Sequence, residues 1–434
     1  MAPSRKLTNW LIDLLVIVVQ ISANMTIIPY YIYANFGPFR LVPLVNALLT
    51  FILLLMRFRG KIYPIKTIFS YYPLKFFFLL IFFQFLSGIS KQEISYILAP
   101  IIFAVNFFVL LIYVNNMYEY NIRNSPTSNS AFFKSNSIYT SFALLNVGLV
   151  LISVIFYITG VLVPFTNSIN HLYPQLLGSN IDFGGAYYYM PGHLSIQLPD
   201  SRLGFPWGTL TGLTHEPHVF GYLVFPSLFL LLSKYAKNRL ISNFLIVTFA
   251  IAGLLSFSVT TFLLISAIYV IKFIGDKAYF RLIVVSTIFF GLSIINYNVE
   301  ILDSIGKYTY MKISTNTSSI HYTANKIESI LYPKTILGDG VMLLGKTTEE
   351  RNGGFFTSIL YILFYISIFV SLFKIIFSNN RQNSLVGLAF LYFILHGFKL
   401  SSSVFAMPYT IYFLTLMAIY YKSNLMHSTQ RLKH

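Results

Sequence analysis

The residues best suited to chemistry lie in one stretch: Asp200-Ser201-Arg202-Leu203-Gly204-Phe205-Pro206-Trp207-Gly208, followed shortly by Leu213-Thr214-His215-Glu216-Pro217-His218. Arg202 carries a planar, permanently charged fork that suits bidentate phosphate recognition. Glu216 can accept a proton from a sugar hydroxyl. The same residues also fit a plain helix start. Thr214 or His215 would precede the helix, Glu216 would complement its dipole, and Pro217 would take the first helical position. Arg202 alone fits an interfacial charge equally well.

Two further groups invite a role. Tyr187, Tyr188, Tyr189 and Trp207 can stack on sugars, and an aromatic belt at a membrane interface accounts for them as well. His396 and Lys399 sit at one end of an apolar run. An ionisable group at such a depth is a functional candidate by default. The plainer alternative has Lys399 snorkelling to the interface and His396 bonding a neighbouring helix. Asp13 lies near the start of the first apolar run, where water is expected to solvate it, and is assigned no role.

Absent patterns narrow the chemistry. With no cysteine, thiolate metal sites and cysteine nucleophiles are excluded. No Asp-x-Asp pair is present to bridge a metal and a nucleotide sugar. No His-Glu-x-x-His helix occurs. No metal and no cofactor are expected. The connection from Tyr31 to Pro38 carries no carboxylate, unlike the acid-bearing first outer connection usual in oligosaccharyltransferases and mannosyltransferases.

The elements that must position these residues follow from composition. Of the 434 residues, 56% are hydrophobic and only 10% are charged, against about 25% charged in soluble domains. The apolar residues come in runs long enough to cross a hydrocarbon core. Such spans are expected near 10–29, 39–56, 73–89, 94–114, 138–163, 216–233, 240–255, 258–273, 279–297, 355–376, 383–399 and 404–421. The seventh and eighth are divided at the Ser/Thr-rich turn Ser256-Phe257-Ser258-Val259-Thr260-Thr261. The first run follows Arg5 and Lys6 but is too long for a signal peptide and lacks a clear cleavage site; it reads as a retained span. The fold class is therefore all-α integral membrane, a single polytopic domain over 1–434 with about twelve transmembrane helices.

Charge sets the orientation. The net charge is +17, and the basic residues gather in alternate short connections. Arg57, Arg59, Lys61 and Lys66 share one; Lys234, Lys237 and Arg239 share another. The opposite connections hold little beyond Lys91 and Lys399. The positive-inside rule then puts both termini in the cytoplasm. No basic stretch is interleaved with aromatics as a nucleic-acid groove requires, so no nucleic acid is expected. Two long connections, 164–215 and 298–354, fall outside. Loops of that length are functional or disordered as a rule, and their Tyr, Trp, Gly and Pro content points to small folded caps.

An Arg, a nearby Gly and a Glu-Pro opening a mid-chain span resemble the core signature of the bacterial O-antigen polymerase (Wzy-type) and O-antigen ligase superfamily. Leu255-Ser256-Phe257-Ser258 is similar to that family's Ser-containing turn. Tyr332-Pro333-Lys334-Thr335-Ile336-Leu337-Gly338-Asp339-Gly340 resembles its Pro-x-x-x-x-Gly-x-Gly segment, and Asn352-Gly353-Gly354 leads into a span where the family often has an Asn. The likeness covers about residues 200–400 and the overall topology. Two departures stand out. The family's Arg early in the second outer loop has no counterpart beyond Lys326 or Arg351, and His321 matches the ligase-type histidine only loosely.

The resemblance implies a GT-C-like membrane glycosyltransferase architecture in the bacterial plasma membrane. Its substrate would be a glycan on polyprenyl pyrophosphate at the outer face, polymerised into O-antigen or capsule. Ligation of finished glycan to lipid A core, or flipping of the lipid-linked unit, are the alternatives. A chain-length regulator and a flippase are the implied partners. Arg202, helped by Lys326, Lys334 or Arg351, would meet the leaving pyrophosphate. Glu216, His215, His218 or His321 would serve the acceptor hydroxyl. Trp207, His396 and Lys399 complete the substrate-binding candidates.

Overall fold

In a computed structural model, the described residues are 3–21, 42–91, 94–125, 127–159, 163–164, 187–190, 194–196, 210–214, 217–256, 261, 264–270, 336, 354–378, 380–399 and 408–431. Within them the chain is helical apart from one small sheet. The helices are α1 (Pro3–Val16), continued by a π-helical turn at Ile17–Ile21, α2 (Val42–Phe58), α3 (Lys66–Phe69), α4 (Tyr72–Lys91) and α5 (Ile94–Arg123). Then come α6 (Ser128–Ser135), α7 (Ser137–Ile158), α8 (Pro217–Lys234), α9 (Arg239–Ser256), α10 (Gly354–Ile376), α11 (Arg381–Lys399) and α12 (Pro408–Arg431). Strands β1 (Val163–Pro164), β2 (Tyr187–Met190) and β3 (Leu194–Ile196) form an antiparallel meander in the first long connection. Tyr187, Tyr188 and Tyr189 all lie on its central strand.

Five of these helices are long and apolar enough to cross a membrane, and α1, α2 and α8 are shorter apolar helices. Their faces identify the solvent they meet. Along α9, Leu240, Phe244, Val247, Ile251 and Leu254 point outward, whereas Ser242, Gly253 and Ser256 are buried. On α10, Phe355, Ile359, Ile362, Ile366, Val370 and Phe373 face out while Ser358 and Ser371 face in. Water would reverse that pattern; hydrocarbon favours it, because small and polar residues are then the ones that hold helices together. The chain is a helical membrane protein.

The expected spans meet helices at ten places. Near 258–273, residues 261 and 264–270 are helical. The expected span 279–297 lies outside the described residues. The fourth span is longer than its apolar run, since α5 continues to Arg123, and α6 adds a short helix capped by Thr127, whose side chain accepts from the Ser130 amide. Helix α2 ends in two left-handed residues, Arg59 (φ 54°) and Gly60 (φ 73°), and the Gly60 amide returns to the Leu55 carbonyl at 3.0 Å. That bond satisfies a carbonyl the helix end would otherwise orphan. The following turn is pinned to α5 by Asn116, which accepts from the Tyr63 amide and donates to the Lys61 carbonyl, both at 2.9 Å.

The expectation for Asp13 is overturned. Asp13 is only 6% exposed, and Arg57 of α2 grips both its oxygens, at 2.9 and 3.2 Å. Tyr113 of α5 donates to the same carboxylate. The side chain points into the three-helix contact instead of toward water, so α1, α2 and α5 are clamped at one polar point. The Arg57 guanidinium is also flanked by the rings of Phe58 and Tyr120, at 5.2 and 5.1 Å, which adds cation–π attraction.

Candidate functional site

Helix α8 is buried along nearly its whole length. It packs most extensively on α11 and also meets α7 and α9. It begins at Pro217, directly after Glu216, so the expected helix start is borne out. Proline suits that position because it lacks the amide hydrogen that would be orphaned there.

The segment that feeds into α8 is recessed. Leu210, Thr211, Gly212 and Thr214 are buried. The Leu213 amide donates to Asn146 Oδ1 at 3.1 Å, near the middle of α7, and the Leu210 amide donates to the Leu255 carbonyl at 3.1 Å, near the end of α9. Thr211 and Thr214 bond reciprocally, each hydroxyl donating to the other's carbonyl at 2.7 Å. Irregular backbone at membrane depth is tolerated only when protein or a water-filled cavity satisfies it. Here side chains and two helix partners do so. The turn also requires glycine. Gly212 has φ 58°, and a Cβ there would sit 3.0 Å from the Asn146 carbonyl oxygen. Gly212→Ala is expected to cost about 1–3 kcal/mol from backbone strain, read as a lower unfolding temperature of the detergent-purified protein; an unchanged temperature would show the turn relaxes freely.

Below the junction, α8 carries a proline of its own. Pro226 has no amide to offer the Tyr222 carbonyl one turn earlier. Tyrosine hydroxyls from neighbouring helices fill the gap. Tyr409 donates to the Tyr222 carbonyl at 3.0 Å and Tyr139 to the Leu223 carbonyl at 2.6 Å; the two hydroxyls lie 2.8 Å apart. Tyr392 reaches the Gly221 carbonyl at 3.2 Å, and its hydroxyl lies 3.0 Å from His396 Nδ1. Three helices, α7, α11 and α12, thus hold the first half of α8.

Gly221 is where α8 comes closest to its neighbours. A Cβ at that position would fall on the Thr261 hydroxyl and lie 3.3 Å from His396 Cε1. The imidazole therefore sits about one helical turn beyond Pro217, fully buried. The bond to His396 Nδ1 comes from Tyr392 of its own helix, whose hydroxyl also reaches the Gly221 carbonyl, so this link to a neighbouring helix is indirect. Ser256 lies buried at the end of α9, beside the Leu210 anchor.

The remaining candidates divide clearly. His218 is in the first turn of α8 and half-buried. Lys399 closes α11. Arg202, Trp207, His215, Glu216, His321, Lys326, Lys334 and Arg351 lie outside the described residues. The family-like segment of the second long connection touches the bundle through Ile336, whose carbonyl accepts from the Phe356 amide of α10 at 3.4 Å. No family model, curated protein or solved structure matches this chain.

Sequence reasoning missed the brace itself: Tyr139, Tyr392, Tyr409, Asn146 and Thr261. One local signal existed. A proline inside an apolar span announces orphaned carbonyls that something must satisfy, and Tyr392 stands four residues before His396 on the same helix face. Among the described residues no group of acidic residues and histidines could hold a metal ion.

Proposed function

We propose that this protein polymerises oligosaccharide units linked to polyprenyl pyrophosphate into a surface polysaccharide, at the outer face of a bacterial plasma membrane. The observation that carries the reading is the bond between Leu210 and Leu255. It draws together two separate stretches that resemble the O-antigen polymerase and ligase superfamily, the approach to Glu216-Pro217 and the Leu255-Ser256 turn. The reaction needs an apolar route for the lipid and polar groups at the level of its phosphates, and a recessed junction between helices supports that reading.

In this reading the chain spans the membrane about twelve times, with both ends inside and both long connections outside. Arg202 holds the pyrophosphate, where fixed positive charge favours the leaving group as its own charge grows. Glu216 takes the proton of the incoming sugar hydroxyl, the oxygen attacks the anomeric carbon, and the carbon–oxygen bond to the pyrophosphate breaks. His218 and Lys399 border the same mouth.

Replacing Arg202 or Glu216 by Ala tests the assignment in cells at equal protein abundance. Each is expected to collapse the glycan ladder to single repeat units. Ladders of unchanged length would remove that residue from the mechanism. Polymer retained on its polyprenyl carrier would instead mark a ligase. Transfer by the purified protein in detergent, where no gradient exists, separates catalysis from flipping.

A further inference from the structure

A second polar site lies at the opposite end of the bundle from the α8 junction. There the α3–α4 corner meets the end of α12. Lys422 of α12 reaches Ser70 Oγ, in the corner between α3 and α4. Lys75, in the first turn of α4, lies over the Tyr72 ring at 5.2 Å. The Tyr71 and Tyr421 rings, their sequence neighbours, meet at 5.4 Å in a tilted contact. Two lysines 347 residues apart in the chain are thereby brought to one place.

Among the described residues no ion pair neutralises them. The described segments around the corner, 61–75, 371–378, 380–383 and 414–431, contain no Asp or Glu. Among the described residues the ion pair is Arg57–Asp13, and neither lysine shares it. Glu119 of α5 lies beside Tyr118, with no ion pair to Lys75 or Lys422. Burial, and secondarily the positive charge of Lys75, push the Lys422 ammonium below the usual lysine range. The start of α4 adds the positive end of its dipole.

The corner also stands at a membrane boundary. Tyr72 opens an apolar span and is 66% exposed, an interfacial position typical of tyrosine. Lysines flanking such a boundary meet lipid headgroups, and basic pockets between spans bind their phosphates. We propose that Ser70, Lys75 and Lys422 form a binding site for the headgroup phosphate of an anionic phospholipid in the cytoplasmic leaflet.

The test compares full-length protein in detergent with the Lys75→Gln/Lys422→Gln variant, each carried through native mass spectrometry with added phosphatidylglycerol. A Lys234→Gln/Lys237→Gln variant has the same charge loss at the α8–α9 turn and serves as reference. The wild type and the reference are expected to retain one more phosphatidylglycerol than the corner variant. Phosphatidylcholine should show no such difference. Equal retention in all three proteins would overturn the site. Inorganic phosphate that competes the lipid away at low millimolar concentration would overturn the lipid assignment and leave a free-anion site. Should the corner variant unfold, Lys75→Arg/Lys422→Arg keeps the charge and must keep the lipid; its loss of lipid would also refute the site.

Discussion

Arg57→Ala is expected to destabilise the protein by about 3–5 kcal/mol, because it strands a carboxylate in the bundle. Asp13 and Arg57 are each about 8% exposed at the side chain, and their contact is bidentate. Removing the guanidinium leaves Tyr113 as the remaining partner of Asp13. Neither hydrocarbon nor water can replace the lost cation cheaply. The paired change Asp13→Leu with Arg57→Met tells the clamp from a simple contact. Replacing both charges by apolar groups of similar size is nearly neutral in many proteins, so the double variant is expected to recover most of the stability. Unfolding midpoints of the four proteins in one detergent give the coupling energy directly. A single variant as stable as the wild type would show that water reaches Asp13 after all.

Tyr139→Phe combined with Tyr409→Phe is expected to cost about 2–5 kcal/mol, at roughly 1–3 kcal/mol for each buried carbonyl left without a donor. The two hydroxyls serve the Tyr222 carbonyl, which Pro226 leaves without an amide, and the adjacent Leu223 carbonyl. The rings stay, so packing changes little. Restoring an ordinary helix with Pro226→Ala supplies the missing amide and should return much of the stability to the double variant. The functional consequence is separable. These tyrosines grip α8 just beyond the junction that leads to Glu216, so under the proposed function the variant loses glycan transfer faster than it loses protein. If Pro226→Ala failed to rescue and stability stayed unchanged throughout, the tyrosines would be ordinary packing residues.

Both predictions depend on contacts that chain order does not reveal. Tyr139 and Tyr409 meet although 270 residues separate them. Asp13 shows why a one-dimensional reading went astray there. Its depth in the first apolar run was legible, yet depth alone does not say whether a side chain faces lipid, water or another helix. Orientation about the helix axis decides that, and α1 turns Asp13 toward α2 and α5. His396 went the other way. An imidazole inside an apolar run must find a polar neighbour, and it did, in Tyr392 four residues before it.

The sequence by itself determined that this chain would be helical, roughly where its long helices among the described residues would run, and that Pro217 would open α8. Those features follow from local facts: hydrocarbon forces backbone groups to bond within their own segment, and proline and glycine limit the dihedral angles available. Only the tertiary structure decided which helices are neighbours. Spans that are apolar on nearly every side carry little record of their partners, so the α8–α11 pairing, the tyrosine brace and the recessed turn at Gly212 emerge from packing. Small residues such as Gly221 and a few buried polar groups set that packing, because they fix how near two helices can come and which carbonyls must be shared.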